Sequence, residues 1–148
     1  MTELDIKHWS AYYPYEVEVI VDDEEEPCLV VAINIQSIFI DSGCDYAFSD
    51  AKMILHPLSD IHKEIEHKGK KFIPYEYISG YARDIIDEIN KEIVRYKKSK
   101  AKINIDINIL TRNHLQMMPN RDFILLLSYH FDMFNLIPDK LAININTL

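Results

Sequence analysis

The sequence is poor in cysteine, glycine and proline, and it contains no long apolar run. Two cysteines among 148 residues cannot form a disulfide framework, and three glycines with six prolines leave helices largely uninterrupted. The N-terminus "MTELDIKHWS" lacks the basic-then-apolar pattern of a signal peptide, and no apolar stretch approaches the length of a bilayer span. We therefore expect a protein of the reducing cytoplasm in which Cys28 and Cys44 are unpaired.

Basic residues are also in the minority. The chain has 16 Lys and Arg against 24 Asp and Glu, a formal net charge of −8. This balance argues against a general binder of nucleic acid or of anionic membranes, because neutralising phosphates needs a cationic surface. The hydrophobic fraction of 48% argues against disorder. A chain of this length buries about 68–70% of its unfolded surface, so we expect one globular domain over residues 1–148.

Alternation of apolar and polar residues predicts several strands. "YEVEVIV" places Val17, Val19 and Val21 on one face, and "PCLVVAINIQSIFID" continues in residues typical of a strand meander. "KINIDINIL" alternates with Ile at odd positions from 103 to 109, and "LAININ" predicts a final strand. "SGCDYAFSDAKMI" shows neither period, so we expect it to be irregular.

Helical spacing predicts two main helices. The first follows Pro74, and its apolar face comprises Ile78, Tyr81, Ala82, Ile85, Ile89, Ile93 and Tyr96. The second follows Pro119 and ends before Pro138, with one face formed by Phe123, Leu126, Leu127, His130, Phe131 and Phe134. The order of elements predicts an α+β fold, a mostly antiparallel sheet packed by two main helices.

His130 and Asp132 lie two residues apart among apolar side chains in "YHFDMF". On a helix this spacing separates the side chains by roughly 200°, so they cannot form a catalytic dyad with each other. His130 falls on the phenylalanine face, where a core histidine with a buried hydrogen-bond partner is expected. Asp132 falls on the other side, as a solvated or capping carboxylate.

No residue pattern predicts catalysis or a cofactor. His56, His62 and His67 are spaced by six and five residues, which matches no zinc motif, and Cys44 has no base assigned to it. The sequence has no glycine-rich phosphate loop and no nucleophile elbow. We expect no enzyme activity, no metal, no cofactor and no small-molecule substrate. The roles of these histidines and of Cys44 stay open.

Two charged segments are candidate contact surfaces. "DDEEE" is expected to be a solvated turn, and "RYKKSKAK" is a basic run inside an acidic protein. The run suits a helix C-terminus, where cations complement the dipole, and it equally suits contact with RNA or an acidic protein surface. The candidate contact residues are Asp22, Asp23, Glu24, Glu25, Glu26, Arg95, Lys97, Lys98, Lys100 and Lys102.

Three blocks of the chain resemble a widespread group of small phage and prophage proteins. The blocks are "KHWSAYYPYEVEV", "ILHPLSDIHKEIEHKGKKFIPYEYIS" and "YHFDMFNLIPDKLAININTL". The group carries a Leu-Arg-Pro-Leu-Ser-Asp-Leu centre and a His-Phe-Asp-Val-Phe-Gly-Leu-Ile tail. Here His56 replaces the arginine of that centre, Asn135 the glycine of the tail, and Asn144 a later aspartate. The chain is also similar to prophage anti-CRISPR proteins that act on type VI-B, RNA-guided RNases.

The resemblance implies a phage origin and a function in host–virus interaction. The expected protein is a non-enzymatic inhibitor in the cytoplasm of the bacterial host. It would bind a CRISPR effector nuclease, with or without contact to the guide RNA. The alternative is an accessory module of phage replication or recombination that binds protein or nucleic acid.

Overall fold

The chain has an α+β fold, as predicted, and a computed structural model describes residues 4–22, 24–98 and 107–148. Within these ranges it has four α-helices, and most of its strands are antiparallel. The chain divides into two compact units. We call Met1–Pro57, Leu127–Asp132 and Leu136–Leu148 the sheet unit, and Leu58–Leu126 with Met133–Asn135 the helical unit.

The sheet unit contains a six-stranded sheet. Its strands are β1 (Glu18–Val21), β2 (Cys28–Ile33), β3 (Ser37–Ile40), β4 (Asp45–Ala47), β5 (Ala51–Leu55) and β8 (Ala142–Asn144). The spatial order is β4-β3-β2-β1-β5-β8, and all neighbours are antiparallel except β5 and β8. Val17, Val19 and Val21 are buried, which confirms the predicted face of the first strand.

The segment predicted to be irregular in fact contains β4, the 3-10 turn Phe48–Asp50 and β5. β5 is an inner strand, paired with β1 on one side and β8 on the other. Most of its residues are buried, including the consecutive pair Ile54 and Leu55. One face is buried at Ala51, Met53 and Leu55, and on the other face Ile54 is buried while Lys52 is exposed, so this five-residue strand gives only a weak period-two signal.

Helix α1 (Ile6–Tyr12) is held by a capping box at its N-terminus. The Asp5 side chain accepts from Lys7 N at 2.9 Å, and Nδ1 of the buried His8 accepts from Asp5 N at 3.1 Å. Trp9 and Tyr12 are fully buried, and the Trp9 ring stacks on Phe48 at 5.8 Å. The aromatic N-terminal segment is thus mainly a core element.

The helical unit contains a hairpin, several helices and two 3-10 turns. The hairpin strands are β6 (Ile65–His67) and β7 (Lys70–Phe72). The helices are α2 (Gly80–Lys98), α3 (Ile107–Gln116) and the greater part of α4 (Asn120–Ser128), and the 3-10 turns are Leu58–His62 and Pro74–Tyr77. α2 and α3 pack against each other.

Helix α2 begins six residues after Pro74, because Ser79 provides the cap. The Ser79 hydroxyl accepts from Ala82 N at 3.2 Å. Ser79 in turn donates through its backbone N–H and its hydroxyl to the buried carboxylate of Asp122, at 3.0 and 2.7 Å. The predicted apolar face is buried at Ala82, Ile85 and Ile89. Tyr81 and Tyr96, which we assigned to it, are instead 58% and 46% exposed.

The strand predicted in "KINIDINIL" is wrong for Ile107 and Ile109, which belong to α3. The earlier part of that prediction, residues 103–106, lies outside the described residues. Thr111 and Leu115, one helical turn apart, form the buried side of α3, whereas Ile109 is half exposed. Packing of this helical face outweighs the strand preference of the isoleucines, which is weak and depends on context.

The last predicted helix is too long, because α4 ends at Ser128. The residues that follow include His130 and Asn135, both with left-handed backbones at φ 63° and 55°. A left-handed residue cannot continue a right-handed helix. The left-handed φ of Asn135 is one that asparagine tolerates better than most residues.

Titration of His8 should make stability fall at mildly acidic pH. Burial lowers the His8 pKa below its ordinary value of 6.5, and this outweighs the attraction of the Asp5 carboxylate 3.3 Å away. As the pH falls through 6.5, His8 therefore binds a proton in the unfolded chain but stays neutral in the folded chain. His8 contributes stability above pH 6.5, and this contribution is lost as pH falls through the lowered pKa.

The matched variant is His8→Gln, because glutamine also completes a capping box and does not titrate. Urea unfolding at a pH above 6.5 and at a mildly acidic pH should show the wild type losing more free energy of unfolding than the variant. Equal losses in the two proteins would mean that His8 does not carry the pH dependence.

Candidate interaction surfaces

Charge is distributed unevenly between the two units. The sheet unit holds 14 acidic and 3 basic residues, a formal charge of −11, whereas the helical unit holds 10 acidic and 13 basic residues, a formal charge of +3. These values sum to the −8 of the whole chain. An overall acidic composition therefore combines one strongly acidic unit with one mildly basic unit, and each suits a partner of the opposite charge.

The acidic turn between β1 and β2 is the densest anionic group of the sheet unit. Asp22, Glu24, Glu25 and Glu26 are exposed, while Asp23 lies outside the described residues. The backbone of the turn is anchored, since Asp22 N donates to Asp50 O at 3.0 Å and Glu24 N donates to Val21 O at 3.1 Å. The carboxylates are thus presented to solvent from an anchored backbone.

The basic run begins in the last turn of α2. Arg95, Lys97 and Lys98 are exposed, and Lys100 and Lys102 lie outside the described residues. The Arg95 guanidinium is 2.7 Å from the Glu92 carboxylate one turn earlier, so part of its charge is neutralised locally. The acidic turn and these cations belong to different units.

A third charged group, on the β6–β7 hairpin, was not singled out from the sequence. Lys68, Lys70 and Lys71 are exposed there. Lys68 and Gly69 form the connection with φ values of 51° and 79°, the left-handed pair of a tight two-residue hairpin turn. The signal in the sequence was "HKGKK", in which a glycine between lysines follows a short apolar-polar alternation.

The three closely spaced histidines lie on different elements. His56 is buried in the sheet unit, whereas in the helical unit His62 ends the 3-10 turn Leu58–His62 and His67 lies on the hairpin. In the described ranges there is no set of three or more His, Cys, Asp or Glu side chains arranged to hold a metal ion. Cys44 is exposed and Cys28 half-buried, and the two are not joined by a disulfide.

His62 instead belongs to a polar cluster on α2. Its ring packs on Tyr75 at 4.3 Å, and its Nε2 lies 3.3 Å from Asn90 Nδ2 and 3.9 Å from Asp87 Oδ1. The Tyr75 hydroxyl donates to Asp87 Oδ2 at 2.9 Å. That hydrogen bond to a carboxylate favours the protonated phenol and raises the Tyr75 pKa.

Arg83 completes the cluster. Its Nε donates to Tyr75 O at 2.9 Å, its Nη2 donates to Glu76 O at 3.1 Å, and the guanidinium lies over the Tyr75 ring at 5.2 Å. These bonds hold the Pro74–Tyr77 turn on the polar side of α2. The raised pKa keeps the Tyr75 phenol protonated as a donor to Asp87, and with the two Arg83 hydrogen bonds the arrangement suits a structural clamp.

The His130–Asp132 segment pairs with the end of β5. His56 N donates to His130 O at 2.8 Å, and Asp132 N donates to His56 O at 3.0 Å, which forms a parallel bridge between His56 and Phe131. The Tyr12 hydroxyl donates to Phe131 O at 2.5 Å. His130 Nε2 approaches Tyr15 O at 2.5 Å, and since a carbonyl only accepts, this nitrogen carries the proton.

The expectation of a solvated or capping carboxylate is wrong for Asp132, because it is buried at 3% exposure and lies in the turn segment after α4, not at the end of a helix. Its two oxygens accept from Leu136 N at 2.7 Å and from Ile137 N at 2.8 Å. The pair in "YHFDMF" therefore serves packing and backbone pairing. His130 is half-buried and hydrogen-bonded, but it lies after α4 and not on its apolar face.

Searches of protein-family models, of curated proteins and of solved structures return no significant match to this chain. No helix in the described part of the chain combines the length and the apolar character needed to cross a bilayer.

Replacing Asp132 with Asn should destabilise the fold by roughly 1–3 kcal/mol, because one of the two backbone N–H groups would face an amide N–H₂ instead of an oxygen. Chemical unfolding monitored by circular dichroism measures this loss. Asp45→Asn is the matched control, since Asp45 is exposed on β4. A loss for Asp132→Asn no larger than for the control would contradict the role of Asp132 in holding the turn.

Proposed function

We propose that this protein is a phage- or prophage-encoded, non-enzymatic inhibitor that binds a host CRISPR effector, an RNA-guided RNase of the type VI-B class. The observation that carries the proposal is the formal charge of −11 on the sheet unit, with its exposed acidic turn. An effector that holds guide and target RNA needs a cationic channel. An acidic surface of a small protein competes for such a channel with the same sign of charge as RNA.

The carboxylates of the acidic turn act mainly on the rate of association. They are exposed, and at physiological ionic strength their interactions are screened beyond about 8 Å. Exposed charges of this kind steer a partner toward the encounter and contribute less to the lifetime of the complex. The lifetime of the complex would be set by apolar contacts that become buried on binding, and these depend on the surface of the effector.

The basic run of α2 supplies a second contact in the proposed complex. Arg95, Lys97 and Lys98 project from the helical unit, whose sign of charge suits the phosphates of a bound guide RNA. An effector with bound RNA presents both a cationic protein surface and anionic phosphates. A protein with one acidic and one basic unit is thus suited to it. The host cytoplasm, where such effectors act, is the proposed location.

Neutralising the acidic turn should slow binding to a purified type VI-B effector. The variant Asp22→Asn, Glu24→Gln, Glu25→Gln and Glu26→Gln removes four negative charges without shortening a side chain. We expect the association rate to fall on the order of tenfold at low salt, with a small change in dissociation rate. Biolayer interferometry measures both rates, and an RNA-cleavage assay measures inhibition.

The control removes four exposed carboxylates from the helical unit, by Glu64→Gln, Glu66→Gln, Glu76→Gln and Asp84→Asn. It changes the net charge equally but spares the acidic turn. Equal association rates for both variants would show that only total charge matters. A wild-type protein that neither binds the effector nor reduces RNA cleavage rejects the proposed function and favours the phage replication or recombination module.

Reversing the basic run should weaken binding to the guide-loaded effector more than to the guide-free effector. The change is Lys97→Glu, Lys98→Glu, Lys100→Glu and Lys102→Glu. Binding of the wild type to the loaded form should also weaken steeply with added salt, because each phosphate contact releases counterions. Charges at a helix end contribute only about 0.3–1 kcal/mol each, so the fold should survive. Equal losses for both effector forms would argue against guide RNA contact.

A further inference from the structure

The β6–β7 hairpin places Lys70 on the same face as the aromatic residue Phe72. His67 pairs with Lys70 across the hairpin, and Ile65 pairs with Phe72, two residues further along. Side chains two residues apart on a strand share a face, so His67, Lys70 and Phe72 point the same way. Ile65 is buried at the base of this face. The face therefore emerges from the core of the helical unit toward the hairpin turn.

Tyr77 extends this face beyond the hairpin. Its ring meets Phe72 edge-on, with centroids 5.6 Å apart and planes at 87°, and the Tyr77 side chain remains 60% exposed. Tyr77 ends the Pro74–Tyr77 turn, which Arg83 holds against α2 through two hydrogen bonds. A large aromatic surface is thus exposed on a fixed backbone, which lowers the entropy cost of stacking a ligand on it.

The charges of the hairpin turn favour an anionic ligand. Lys68 and Lys70 lie at the hairpin turn, whereas Lys71 pairs with Glu66 on the opposite face. Glu64 and Glu76 are the other exposed carboxylates in the neighbouring sequence, so the hairpin turn is where the cations dominate. The helical unit as a whole is basic at +3, within an otherwise acidic protein.

From this juxtaposition we propose that the hairpin and Tyr77 form a binding surface for single-stranded nucleic acid. One base stacks on the exposed Tyr77 ring, and the adjoining phosphates contact Lys68 and Lys70. A ring beside cations is the recurring arrangement for unpaired strands, because every base has a face to stack and every linkage carries a charge. A duplex offers no free base face, so the surface selects single strands.

This surface is separate from the basic run of α2, and the proposal does not depend on an effector target. Its test uses the full-length protein alone with fluorescein-labelled oligouridylate and oligothymidylate of about 15 nucleotides. Fluorescence anisotropy gives the affinity at about 50 mM and about 200 mM salt. With two or three phosphate contacts, the affinity for oligouridylate should fall roughly 7- to 18-fold between the two salt concentrations.

Two sets of variants separate the charge contribution from the stacking contribution. Lys68→Glu with Lys70→Glu should weaken binding at least tenfold and flatten the salt dependence. Tyr77→Ala should weaken binding about 5- to 150-fold with an unchanged salt dependence, and Tyr77→Trp should restore it. A higher affinity for one oligonucleotide than the other would show whether the surface prefers RNA or DNA.

The matched controls lie in the same unit. Lys91→Glu with Arg121→Glu reverses two exposed cations that belong to other elements than the hairpin, and Tyr81→Ala removes an exposed tyrosine that lies outside the basic run. Both should keep near wild-type affinity, with thermal unfolding confirming that every variant is folded. The proposal is overturned if the wild type binds neither oligonucleotide at the lower salt, if the controls lose as much affinity as the hairpin variants, or if Tyr77→Ala binds normally.

Discussion

The backbone pairing of His56 with residues 130 to 132 is the interaction on which the sheet unit depends. It returns the chain to β5 after α4, through two hydrogen bonds on either side of Phe131. The bridge works only because His130 has a left-handed backbone, which ends the helical course and turns the chain into line with the strand. Tyr12 then bonds to the Phe131 carbonyl, so α1 is tied to the same point.

The rest of the C-terminal segment follows from that junction. Asp132 fixes the next turn by accepting two backbone N–H groups, and this turn leads the chain toward β8. β8 pairs in parallel with β5, in register from Met53 with Ala142 to Leu55 with Asn144. A parallel pair cannot be made by a tight hairpin, so the long excursion through the helical unit is the crossover that such pairing requires. The polar residues of this segment are therefore structural even though they lie among phenylalanines.

Segregation of charge is the second organising feature, and it gives the candidate surfaces their separate characters. Carboxylates are concentrated in the sheet unit, where the β1–β2 turn exposes several in a row. Cations are concentrated in the helical unit, at the end of α2 and at the hairpin turn. Hydrogen bonds within the helical unit already occupy His62, Tyr75, Arg83 and Asp87. The exposed charged groups outside this cluster project mainly from turns and helix ends.

The sequence by itself determined the α+β class, the first three strands, the body of α2 and the final strand. In each of these elements one face is buried, so apolar residues recur every two residues in a strand or every 3.6 residues in a helix. This signal is local in the sequence. It also located the acidic turn, because adjacent like charges need solvent. Only the tertiary structure decided the rest. β5 alternates only weakly because Ile54 is buried on the face opposite Met53 and Leu55. Ile107 and Ile109 are helical because α3 packs on α2, and α4 ends just before the segment that pairs with His56. The charge of each unit and the ring contact between Phe72 and Tyr77 could not be predicted from the sequence either, because they depend on which segments the fold brings together.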